Sequence, residues 1–166
     1  MEDLKEIQFI KQVLIAQAEK LMDAKQFYPA IIWMTQAIEV MGAFLDEKPF
    51  KADAQSKIRF RKALYLFPER YQKINQKDLL YEQLRCNFSH LLLPGLNIKL
   101  IHKTLNPEAN HLSLENDKLI IVAEDFLNDF KIAAYKLVQR IESGKVSPKK
   151  LNSNFFKHID ESNFLG

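Results

Sequence analysis

Between Lys25 and Asp46 the chain carries a single charge, Glu39, and the stretch from Ile31 to Leu45 is apolar almost all round. A helix with no polar face has to be surrounded by other elements, so this segment predicts a central helix. Tyr28-Pro29 places a proline where that helix begins, and Asp46-Glu47-Lys48-Pro49 ends it. The neighbouring segments are amphipathic, as helices packed around a centre need to be. Leu4, Ile7, Ile10, Val13, Leu14, Ala18 and Leu21 recur at helical spacing and predict a first helix. A third is expected from about Asp53 to Phe67, burying Ile58, Ala63, Leu64 and Phe67, with Pro68 as its stop. Asn75 followed by Asp78 reads as a cap with an acid in the first turn, opening a fourth helix to Ser89 or His90 with the stripe Leu80, Leu84, Phe88, Leu91. Pro94-Gly95 terminates it. A fifth, from about Ala123 to Glu142, buries Phe126, Leu127, Phe130, Ala134, Leu137, Val138 and Ile141.

The period changes between the fourth and fifth helices. Leu96, Ile98 and Leu100 alternate with Asn97 and Lys99, and the turn-like Glu115-Asn116-Asp117-Lys118 separates Leu112 and Leu114 from Leu119 and Ile121. A small β-hairpin or three-stranded ribbon over 96–121 is expected, inserted in an all-α bundle of about five helices over 1–143. The tail, 145–166, carries Phe155, Phe156, Ile159, Phe164 and Leu165, enough apolar surface to dock on the body. With 166 residues, 47% of them hydrophobic, one domain over 1–166 is expected. Expected core positions are Ile31, Trp33, Ile38, Met41, Leu84, Phe126, Phe130 and Leu137.

Several function classes find no foothold. No run approaches the roughly 18 apolar residues of a membrane span, and Met1-Glu2-Asp3 leads straight into an amphipathic pattern without a secretory signal, so a cytoplasmic protein without membrane contact is expected. A lone cysteine, Cys86, gives neither an internal disulfide nor a thiolate cluster, and a helix-borne thiol of this kind is expected to be inert. His90, His102, His111 and His158 never stand three or four apart, so no metal site is expected. Phosphate-binding glycine loops and nucleophile elbows are missing, and no cofactor is expected.

Charge is distributed unevenly. The net charge is +3, yet from Lys57 to Lys77 seven cations face one anion, Glu69. Lys57, Arg59, Arg61, Lys62, Arg70 and Lys73 are interleaved there with Phe60, Tyr65, Phe67 and Tyr71, the composition that phosphate binding with base stacking needs. The plainer reading is a solvated basic helix with its aromatics in the core.

Near the end of the expected fourth helix lies Leu84-Arg85-Cys86-Asn87-Phe88-Ser89-His90, an arginine and a histidine separated by four residues. This resembles the Arg-x4-6-His motif of the HEPN family, helical bundles that are often ribonucleases and often dimers. The order of helices is similar over roughly residues 1 to 143. The resemblance implies a metal-independent endoribonuclease in which an RNA 2′-hydroxyl attacks the adjacent phosphate, leaving a 2′,3′-cyclic end, with His90 moving protons and Arg85 stabilising the phosphorane. Asn87 or Tyr81 would orient them. Where the family frequently has Asn or Asp after the arginine, this chain has Cys86, and the polar residue comes one later. At about 100° per residue, Arg85 and His90 stand about 140° apart on a regular helix. They reach one phosphate if the last turn loosens at Ser89, if the Arg85 side chain swings around, or if two chains join their sets at one cleft; the homodimer is the expected assembly. Glu39, costly to bury alone, is an expected partner of Arg85. The alternatives are a non-catalytic HEPN-like module that binds RNA, a nucleotide or a partner protein, and a helical scaffold unrelated to the family.

Overall fold

The computed structural model describes residues 5–147 and 149. Among them are six helices and a three-stranded sheet, a mostly helical architecture. Helix α1 covers residues 5–23 and contains a π-helical stretch, Phe9–Ile15, in which the Ala16 N–H reaches back to the Lys11 carbonyl. Ile7, Ile10, Val13, Leu14 and Ala18 face inward as their spacing predicts, and the wider π turns bring Phe9 and Ile15 to the same side. Leu21 is half-buried, and Leu4 lies outside the described residues.

Helix α2, Phe27–Ala43, begins earlier than the apolar run suggests. Pro29 sits in its first turn, where a missing N–H costs nothing. Ile31, Met34, Ile38 and Met41 are buried, and α2 packs on α1 and on the helices that follow. Trp33 corrects the expected core: it is half-buried at the edge, donating its Nε1–H to the Leu14 carbonyl at 3.1 Å. A ring with a polar N–H is best placed where that group finds an acceptor.

Helix α3, Ser56–Leu64, is shorter than expected at both ends. After Leu64 the chain tightens into three-residue turns, with Leu66 N–H on Ala63 and Phe67 N–H on Leu64. Phe60, Ala63, Leu64 and Phe67 are buried, but Ile58 is 45% exposed, because the inward face of α3 is set by Arg59, Phe60 and Ala63 against α2. Pro68 then opens α4, Glu69–Ile74, one helix more than the five expected, with Tyr71 buried.

Asn75 does cap the next helix. Its Oδ1 accepts the N–H groups of Leu80 and Tyr81 at 2.9 and 3.2 Å. Between them is a 3₁₀ turn, Gln76–Asp78, in which Lys77 and Asp78 adopt φ of 57° and 60°. Helix α5 covers residues 79–91, π-helical over Tyr81–Cys86 and α-helical over Asn87–Leu91. It stops at Leu92, which turns left-handed with φ 56° and returns its N–H to Phe88. Leu80, Leu84 and Phe88 are buried, whereas Leu91 is 64% exposed, since this last turn projects past the bundle.

The sheet lies between α5 and α6, where the change of period is. Strands β1 (Ile98–Ile101), β2 (Leu114–Glu115) and β3 (Lys118–Val122) stand in the order β1-β3-β2. β2 and β3 form the expected hairpin, turning at Asn116 and Asp117 with φ of 49° and 61°, the two positive values of a type I′ turn. β1 pairs with β3 in parallel, Ile98 opposite Leu119, so the element is a mixed sheet rather than a simple ribbon. β3 is central, which is why Leu119, Ile120, Ile121 and Val122 are all buried and its sequence does not alternate. It runs directly into α6, Ala123–Glu142, whose stripe Phe126, Phe130, Ala134, Leu137, Val138 and Ile141 closes the core, with Leu127 half-buried beside it. The expected docking of the tail falls mostly outside the described residues. Among the described residues no helix is long and apolar enough to cross a membrane.

Candidate functional site

The Arg85–His90 segment closes α5 against the middle of α2. Arg85 donates its Nε–H to Glu39 Oε2, the ion pair expected for the lone charge of α2. Both side chains remain about one-fifth exposed. Glu39 Oε2 also accepts from Ser56 Oγ at 2.7 Å, and Ser56 Oγ accepts from the Tyr81 hydroxyl at 3.0 Å. The Tyr81 ring lies under two cations, Lys57 at 5.4 Å and Arg85 at 6.0 Å from its centroid. Burial, followed by the hydrogen bond and charge of Cys86, raises the Tyr81 pKa, outweighing Ser56 and Arg85. This phenol therefore stays protonated and is a donor.

Two further contacts hold the helix end. Gln36 Nε2 donates to the Arg85 carbonyl at 3.4 Å, and Ser89 Oγ donates to Gln36 Oε1 at 2.9 Å. Asn87 does not approach Arg85 as expected; its amide lies against Gly95, where a Cβ would sit 2.9 Å from Nδ2. His90 is exposed on the last turn. Thus the structure brings Glu39, Tyr81 and Arg85 together, adds Ser56, and keeps His90 apart. Ser56 was missed because nothing local distinguishes it: it is the first residue of α3, and only the crossing of α3 over α2 delivers its hydroxyl to Glu39.

The basic segment needs correction. Arg59 is 4% exposed and its guanidinium binds Asp46 and the carbonyls of Pro49 and Phe50, so it is unreachable by RNA. Arg61 makes a two-pronged pair with Asp78, both contacts at 2.6 Å. Lys57 meets Glu82 and Asp78, Arg70 meets Asp129, and Lys73 meets Glu69. The guanidinium of Arg61, then Lys57, hold the Asp78 carboxyl below its usual pKa. Glu69 is the one anion between Lys57 and Lys77, and the other carboxylates, Asp46, Asp78, Glu82 and Asp129, come from outside that stretch.

A second polar cluster was invisible in sequence. His111 Nδ1 accepts the Val122 N–H at 3.0 Å, so its proton is on Nε2, which faces the Tyr71 hydroxyl at 2.7 Å. Tyr71 donates to Asp129 Oδ2 at 2.8 Å, where Arg70 also binds. Burial, opposed by the charge of Asp129, lowers the His111 pKa from 6.5 to about 4. The cluster pins the connection after β1 to the start of α6, and both ring nitrogens are occupied by internal partners. Its consequence is a pH dependence of stability. Above pH 6.5 His111 is neutral folded or unfolded; as pH falls toward 4 the unfolded chain takes up a proton that the folded one refuses. Roughly 3 kcal/mol of stability should be lost across that window. Urea unfolding at pH 7 and pH 4.5 should show the loss in wild type and a smaller one in His111→Gln; equal slopes would rule out His111 as its source.

Among the described residues no group of three or more His, Cys, Asp or Glu side chains is placed to hold a metal ion. Comparisons with family models, curated proteins and solved structures find no match to this chain.

Proposed function

We propose that the protein is a HEPN-like helical protein that cleaves RNA without a divalent metal, with Arg85 and His90 as the reacting pair and a second copy of the chain completing the site. The observation that carries this reading is the way Arg85 is held. Glu39 takes Nε, leaving the terminal N–H groups of the guanidinium for an anion, on a side chain that is still about one-fifth exposed. A guanidinium fixed on one edge and open on the other is prepared to bind two oxygens of a phosphate. His90 lies one helical turn further and faces solvent, where its imidazole is accessible to a substrate.

In the proposed reaction the RNA 2′-oxygen bonds to phosphorus, the bond from phosphorus to the 5′-oxygen breaks, and the 2′-proton leaves to a base while the 5′-oxygen gains one. His90 of one chain takes or gives the proton. Arg85 stabilises the charge on the non-bridging oxygens, and Glu39, Ser56 and Tyr81 hold Arg85. His90→Ala and Arg85→Ala should each reduce cleavage of labelled single-stranded RNA at least about a hundredfold while leaving the circular dichroism spectrum unchanged. EDTA should have no effect. Equal cleavage by wild type and both variants would assign the activity to a contaminant.

A second reading is a non-catalytic module of the same kind that binds RNA, a nucleotide or a protein. It is favoured by the pairing of Lys57, Arg61, Arg70 and Lys73 with carboxylates, which leaves less positive field to draw in a polyanion. RNA retention without cleavage would select it.

A further inference from the structure

The outer face of α6 carries cations that the fold leaves without carboxylates. From Phe130 to Val146 four cations, Lys131, Lys136, Arg140 and Lys145, stand against one anion, Glu142. Lys131 is paired with Glu19. The other three cations are exposed and make no ion pair among the described residues. This is the reverse of the segment from Lys57 to Lys77, where Lys57, Arg59, Arg61, Arg70 and Lys73 are all matched by carboxylates.

The helix and its stop bring these groups together. Lys136 and Arg140 stand one turn apart, about 6 Å along the axis. The third cation arrives through the reversal after α6: Gly144 turns left-handed with φ 69°, and the N–H groups of Lys145 and Val146 return to the Arg140 carbonyl at 2.9 and 3.2 Å. Lys145 is thereby set against the last turn, and a groove of about 390 Å³ is lined by Lys136, Gln139, Arg140, Ser143 and Lys145. Four residues before Gln139, and so its neighbour on the helix surface, the Tyr135 ring is 45% exposed with no ring partner among the described residues. The helix dipole gives a structural reason for Arg140, which lies in the last turn. It gives none for Lys136 further up the helix, or for a tyrosine left in water beside it.

We infer that this face holds a single strand of RNA, with Lys136, Arg140 and Lys145 on its phosphates and Tyr135 stacked on a base. Unpaired cations that follow a backbone, beside an open aromatic ring, are the two parts that single-strand binding combines. A duplex would leave Tyr135 unused, because its bases show no free face. A lipid surface would need more apolar area than Tyr135 and the 40% exposed Ile132 supply. The inference deepens the ribonuclease reading and rests on it for RNA as the substrate. It places the strand-holding cations on α6, outside the stretch from Lys57 to Lys73 where the sequence alone puts them.

Fluorescence anisotropy of the full chain should show binding of a labelled 2′-O-methyl oligouridine of about 12 nucleotides, a strand that has no free 2′-hydroxyl and therefore stays uncut. Lys136→Gln/Arg140→Gln/Lys145→Gln should weaken binding at least about tenfold at low salt. It should also flatten the slope of log Kd against log salt by about 2, the change for three phosphate contacts on a single strand. Tyr135→Ala should weaken binding about tenfold with the salt slope unchanged, and Tyr135→Phe should restore it. Lys73→Gln/Lys99→Gln/Lys103→Gln, an equal loss of charge at cations paired with carboxylates, should change binding far less. Equal weakening by the two triple variants overturns the inference. So does an affinity untouched by the α6 substitutions, or a wild type that leaves the strand free, whether or not it binds anionic phospholipid vesicles. Unmodified RNA cut by wild type and by the α6 triple variant with the same affinity and rate overturns the inference and leaves the ribonuclease reading standing. A strand held through α6 but never cut in its unmodified form overturns the ribonuclease reading alone.

Discussion

Arg59→Met should lower the free energy of unfolding by about 3 to 5 kcal/mol, the range for breaking a buried ion pair from one side. Arg59 and Asp46 are 5% and 6% exposed at the side chain, joined through Nε at 2.8 Å and through Nη2 at 3.3 Å. The same guanidinium binds the Phe50 carbonyl at 2.6 Å and the Pro49 carbonyl at 2.7 Å. It thereby fixes the connection from α2 to α3. Methionine fills much of the space but supplies none of these donors, leaving two carbonyls without their partner and the Asp46 carboxylate with Lys149 and the Lys48 N–H alone. The Asp46 carboxyl, which burial alone would push upward, is held well below its usual pKa by Arg59 and Lys149. Urea denaturation gives the measurement. Removing the carboxylate as well, in Arg59→Met/Asp46→Leu, should recover part of the loss. A single-variant change below about 1 kcal/mol would show that the guanidinium is not an anchor.

Gly42→Ala should be comparably damaging, about 3 kcal/mol or more, although alanine is intrinsically the better helix former by about 1 kcal/mol. A Cβ on Gly42 would lie 1.8 Å from the Arg59 carbonyl oxygen, 2.4 Å from its carbon and 2.8 Å from its Cα. These are backbone atoms of α3, so no side chain can rotate away and the two helices have to separate. Because separation also strains the Arg59 contacts, the two substitutions act on one structure, and Gly42→Ala/Arg59→Met should lose less than the sum of the single losses. Thermal and urea unfolding of the four proteins would test both points; additive losses would mean that the helix crossing and the ion pair are independent.

The chain's own order of residues determined the helical class, the central place of α2 and the location of the sheet. Each of these follows from periodicity and turn chemistry within a short window: one charge in the α2 stretch, the stripe of α6, and Asn116-Asp117 between two apolar runs. Arg85 could be matched to Glu39 because an isolated carboxylate on an apolar helix needs a partner and few cations face it. Local pattern failed where the deciding contact came from far along the chain. Ile58 and Leu91 fit an apolar stripe but lie outside the bundle, since a helix packs only where a neighbour reaches it. Arg59, Arg61 and Arg70 looked free in sequence and are matched in space by Asp46, Asp78 and Asp129. Ser56 beneath Glu39 and the Tyr71–His111–Asp129 chain have no local signature, their members being 17, 40 and 58 residues apart. Periodicity records which face of an element is apolar. Which polar groups meet is set by how the elements cross, and that is a property of the tertiary structure alone.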